Sequence, residues 1–171
     1  MAMVILNIGI LAIVASFNSG AFALRRASHI STATVLADSQ IERYRALLYS
    51  QLGFDSSRIA GLDNTYRCDS VLGASCPNTV TGCSSATCAD GTEPTFTCGT
   101  ANDCLPMRTV NSSSTPPSPD RYPYRVDTYI LYKTPTGGRQ LKQITVVVRD
   151  GNNLARTFAR ITSTFDRTVS S

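Results

Sequence analysis

AMVILNIGILAIVASFNSGAFALRRASHISTATVLADSQIERYRALLYSQLG, residues 2 to 53, holds no proline, and its reading decides the fold. Ala2 to Leu24 is a run of twenty-three residues without a charge, and as a helix it would be about 35 Å long. That length predicts a transmembrane span over 2–24. A cleavable signal peptide is the competing reading: SGAFA at 19–23 could mimic a cut site, but no basic region precedes the apolar core. The helical pattern continues past the run. Ile30, Thr34, Ala37, Ile41, Tyr44 and Leu48 recur at steps of four and three, which places them on one stripe. Residues 25–53 therefore read as an amphipathic extension, with Gly53 as its stop. The expectation is one unbroken helix of roughly fifty residues, about 75 Å long. Its stripe, with Ile30, Ala37, Ile41, Tyr44 and Leu48 as packing residues, must be covered by another layer.

The C-terminal third supplies that layer. In 124–132, YRVDTYILY, apolar and polar residues alternate, and TPTGG at 134–138 signals a turn. QLKQITVVVRD at 140–150 puts Ile144, Val146 and Val148 on one side. Asp150 and Gly151 make the next turn, and Leu154 to Phe165 reads as a third strand. The fold class is therefore α+β, with one long N-terminal helix on a small antiparallel sheet of about three strands over 124–165. Helix (1–53) and globular head (54–171) are the two parts.

Residues 54–123 differ in kind. All six cysteines, Cys68, Cys76, Cys83, Cys88, Cys98 and Cys104, fall here, and no apolar run exceeds three residues. An even, clustered set reads as a disulfide-rich insert and implies an oxidising compartment. Metal ligation is the weaker reading, because the window has no His and no paired knuckle spacing. Fifteen pairings are open. NSSSTPPSPDRYP at 111–123 is a spacer before the first strand. Arg25 and Arg26 would hold their end of the span in the cytoplasm, whereas the cysteines place the head outside, and the cysteines are given the greater weight.

An apolar helix, an amphipathic extension and a small antiparallel sheet, in that order, resemble type IV pilins and type II secretion pseudopilins. AMVILNIGILAIVAS resembles the prepilin helix core, LADSQIERYRALLY at 36–49 its exposed half, and RVDTYILYK with KQITVVVRD the C-terminal hairpin. The cysteine insert has no counterpart there. The family's basic leader, its Gly before the scissile bond and its Phe-Thr-Leu-Ile-Glu type opening are not present, and Met1 falls inside the helix; this reads as a start assigned at an internal Met. The resemblance implies a structural protein, a minor pilin or pseudopilin in the bacterial inner membrane with its head in the periplasm or outside. Such a subunit packs its N-terminal helix with other pilin or pseudopilin subunits and with membrane lipid, and enters a pilus-like or secretion fibre. A membrane-tethered binding module, with the cysteine insert as recognition element for DNA or a surface ligand, is the alternative.

Composition excludes little else. Charged residues make up 16% of the chain and the net charge is +4, which names no partner. By segment, residues 1–54, 55–109 and 110–171 carry +2, −3 and +5. The basic side chains of the last third, Arg121, Arg125, Arg139, Lys142, Arg149, Arg156, Arg160 and Arg167, could attract DNA, but strand alternation scatters them over both faces. His29, the sole imidazole, reads as a solvent- or headgroup-facing helix residue. No catalytic motif appears, so no enzyme and no cofactor is expected. Asp150, Asn152 and Asn153 are oxygen donors suited to calcium, although D-G-N-N is equally a hairpin turn. Asn111-Ser112-Ser113 matches the N-glycosylation triplet and is left unassigned. Ala12, Ser16 and Gly20 form a small-residue stripe that lets helices approach closely.

Overall fold

A computed structural model describes residues 2–54, 62–72 and 105–166, the side chains of 2–6 and 8 excepted. Helix α1 runs without a break from Ala2 to Arg45. It passes through the Arg25–Arg26 pair as expected, and neither Gly9 nor Gly20 interrupts it. It ends eight residues short of Gly53. Leu48 is extended (φ −66°, ψ 147°), and Tyr49–Gln51 forms one 3₁₀ turn. The reason lies in the sheet: the buried Lys142 ammonium takes the carbonyls of Tyr49 at 2.7 Å and Leu52 at 2.6 Å. Leu52 and Phe54 are then buried, so the turn answers to a tertiary partner instead of the helical period.

The membrane span expected over 2–24 is corrected. Among the described residues no helix is long and apolar enough to cross a membrane. The described side chains from Gly9 to Leu24 include Ser16, Asn18, Ser19 and Gly20, and two arginines follow directly; about twenty mainly apolar residues are needed. The single-pass inner-membrane location, with the head in the periplasm or outside, is corrected with it.

Four strands, one more than expected, form an antiparallel sheet in the order β1 (Met107–Val110), β2 (Tyr124–Lys133), β3 (Leu141–Asp150), β4 (Thr157–Phe165). β1 lies within the segment that reads as insert and spacer, because its four residues carry too little alternation to stand out. β2 and β3 pair from Tyr124↔Asp150 to Lys133↔Leu141, which puts Val126 opposite Val148 and Ile130 opposite Ile144 on the face turned to α1. α1 crosses β4 and β3, with slight contact to β2. The opposite face is covered too. Residues 62–72, which include the short helix α2 (Asn64–Arg67), lie over it, and Tyr66 stacks on Tyr129 with ring centroids 4.3 Å apart. A sheet covered on both sides explains why β2 is buried at eight consecutive positions, the polar ones included.

Candidate functional site

α1 divides into two stretches. From Gly9 to Ser28 every described side chain is exposed, among them Phe17 (76%), Leu24 (74%) and Phe22 (71%). From His29 onward one stripe turns inward: Ala33, Ala37, Gln40, Ile41 and Tyr44 are buried. Ala37, Ile41 and Tyr44 thus pack where the sequence placed them. Ile30 and Leu48 do not, being 40% and 68% exposed. At 3.6 residues per turn a stripe drifts, and the true seam is 29, 33, 37, 40/41, 44. Thr34 points outward and bonds the Ile30 carbonyl at 2.9 Å. Leu48 lies beyond the helix end.

His29 is the first described α1 side chain that is not exposed, which corrects its solvent-facing reading. Its Nδ1 lies 3.0 Å from Asp120 Oδ2 and 3.1 Å from the Tyr124 hydroxyl oxygen. Tyr124 donates its own proton to Asp120 at 2.5 Å, so Nδ1 must carry the proton that reaches both oxygens. The ring packs on Tyr122 (centroids 4.2 Å) and Phe158 (5.8 Å). Burial pushes the Asp120 carboxyl up, but hydrogen bonds from Tyr124, His29 and the Tyr122 amide outweigh it and leave Asp120 below its ordinary value. Tyr124 is pushed well above its ordinary value by burial and by Asp120. The loop before β2 is thereby locked to the helix. Nothing in the local pattern marks a lone His for this role; its partners lie about ninety residues away in sequence.

On the outer face sits a network of three arginines and three aspartates. Asp127, fully buried, accepts from Arg125 Nε (2.7 Å) and Arg149 Nε (2.9 Å). Arg125 also grips Asp63, and Arg149 grips Asp69. Arg160 reaches both Asp69 oxygens at 3.0 and 3.1 Å. Burial raises the Asp127 pKa against the pull of both arginines, whereas the Arg125 hydrogen bond holds Asp63 low. These charges clamp 62–72 to the sheet. They also correct the view of the basic residues as a scattered surface set: Arg125, Lys142, Arg149 and Arg160 have their heads committed internally.

The Asp150 carboxylate accepts from the Asn152 amide at 2.9 Å, a bond of the hairpin turn, and from the Tyr122 hydroxyl at 2.8 Å, while Asn152 and Asn153 are exposed. Asn111 Oδ1 accepts from the Ser113 amide at 2.8 Å and closes a turn after β1. Cys68 stands at the C-cap of α2 with its sulfur disulfide-bonded. Its partner, like Cys76, Cys83, Cys88, Cys98 and Cys104, lies outside the described residues, so no disulfide joins two described residues. Arg167 lies outside them too. No family model, curated protein or solved structure matches this chain.

One concave feature lies on the exposed half of α1. Ile13, Ser16, Phe17, Gly20, Ala21 and Leu24 line an open groove of about 390 Å³. Phe17, Gly20 and Leu24 recur at steps of three and four and continue to Val35, which is 58% exposed and two residues from buried Ala33. Two residues are about 200° of helix. The groove therefore opens away from the sheet.

Proposed function

We propose that the chain is a non-enzymatic structural subunit of a fibre of the type IV pilus or type II secretion pseudopilus kind, and that it assembles by packing the first half of α1 against other subunits. The observation that carries this reading is the exposed half of α1: a rigid extension beyond the sheet, rich in uncovered Ile, Leu, Val and Phe and floored by Ser16 and Gly20. Apolar surface of that extent is costly to leave in water, and small residues permit close helix approach. The order of elements, one long helix followed by an antiparallel sheet, is compatible with it. In this role the buried stripe of α1 holds the head.

Sedimentation velocity and electron microscopy of the purified full-length chain test the reading. Elongated assemblies are expected, and Phe17→Asp should reduce them to single copies while the circular dichroism of the head is kept. A wild-type chain that stays a single copy at its highest soluble concentration would overturn it.

A further inference from the structure

Three exposed charges on α1, Arg25, Arg26 and Asp38, meet no opposite charge among the described residues, and Arg26 lies about 200° of helix from Leu24, on the line of the sheet-facing seam. Glu42, one turn beyond Asp38 on the same side, bonds along the surface to Arg45 at 2.5 Å, its one ion pair among the described residues. Val35 completes that side. It is a large apolar side chain left uncovered on the half of the helix that already carries the head.

The residues fall on two faces. Leu24, Ser31, Val35, Asp38 and Glu42 follow one another at steps of seven, four, three and four along the back of α1. Ile10, Val14, Ala21 and Arg25 follow at four, seven and four along an adjacent face of the free half. Arg25 is 13 residues from Asp38 and 17 from Glu42, which is about 20 and 26 Å of helix. A shift of 14 residues, about 21 Å, brings Ile10 level with Leu24 and Ala21 level with Val35. One offset therefore matches two apolar pairs and sets Arg25 between the two acids.

We propose that the partner of this surface is a second copy of the same chain, parallel and displaced by about 21 Å, with Arg25 of one copy seated between Asp38 and Glu42 of the next. The proposal rests on the fibre-subunit reading and adds to it the occupant, the direction and the register. Charge complementarity selects the copy: Asp38 and Glu42 lie along the back of the head-bearing half, where Arg45 answers Glu42 alone, and Arg25 lies on the free half, so each copy offers both members of the pair to different neighbours. Such a head-to-tail contact does not close on itself and propagates. Glu42 gains a second cation, Asp38 its first, and Val35 a cover.

The test uses full-length protein in low salt, where exposed charges are least screened. Arg25→Glu alone, and the double variant Asp38→Arg with Glu42→Arg, should each lower the assembled fraction about tenfold, because like charges then meet at the contact. Mixing the two variants should restore assembly, since the acidic free half of one now meets the basic back of the other. All three residues are exposed, so the thermal midpoint of each variant is expected to stay near wild type. Wild-type assembly that both variants leave untouched, or variants that stay apart when mixed, would overturn the register while the fibre reading stands. Absence of wild-type assembly would overturn both.

Discussion

The two halves of α1 share one backbone and one propensity yet meet opposite fates. The half that follows His29 buries Ala33, Ala37, Gln40, Ile41 and Tyr44 against the sheet, while the half that precedes it leaves Ile10, Ile13, Phe17 and Leu24 in the open. The residues of the first half are, if anything, the more apolar. Hydrophobicity alone therefore does not decide what a head of this size covers. The sheet is ten residues long in β2 and β3, about 33 Å at strand rise, and it can cover only so much helix. The rest of the helix extends past it, uncovered among the described residues.

That contrast can be broken from the head side first. Tyr44→Ala removes a fully buried ring set edge-on to Phe54 and should cost about 4 kcal/mol in chemical denaturation. Leu24→Ala, an equally apolar truncation on the free half, should change the single-copy stability by less than about 0.5 kcal/mol. Equal effects would mean that the free half is not free. Asp127→Asn leaves Arg125 and Arg149 buried around a neutral group, and about 3 kcal/mol should be lost by the same measurement. Gly151→Ala comes next: its new Cβ would lie 2.8 Å from the Pro123 carbonyl oxygen, whose bond from the Gly151 amide ties the β3–β4 turn to the start of β2. A loss of about 2 kcal/mol is expected.

A further expected effect is one of pH and concerns the helix end. Burial lowers the Lys142 pKa from the ordinary 10.5 to about 8. Between those values the unfolded chain binds a proton that the folded chain has released, so this group makes stability rise with pH through that window. Tyr124 and Tyr129, whose pKa values burial raises, act in the opposite sense above their ordinary value of 10.0. Comparison of Lys142→Met with wild type between about pH 8 and 10 isolates the lysine, and the variant should lack the upward slope. An identical slope in both would remove Lys142 as its source.

Much of this fold was legible in the sequence, and the misses share a cause. The unbroken helix, the packing of Ala37, Ile41 and Tyr44, and the β2–β3 hairpin follow from local periodicity, which one chain segment carries by itself. Ile30 and Leu48 were misplaced because a stripe fixes its own drift only once a partner is present. His29, Lys142 and the aspartates at 63, 69 and 127 were invisible in role, since each acquires meaning from a residue 22 to 93 positions away. Strand β1 was missed because four residues give two alternations, too few to separate from a loop. Of the surface proposed for assembly, the small residues and the apolar run could be read directly. Which side faced the head could not, because that depends on where the sheet docks.

Because α1 is one uninterrupted rod through both halves, tension applied at its free end enters the head along the helix axis. The seam from His29 to Tyr44 is then loaded in shear, where interlocked side chains must all slip together, not in peel, where they yield one at a time. The fold thus resists load best along the axis of α1.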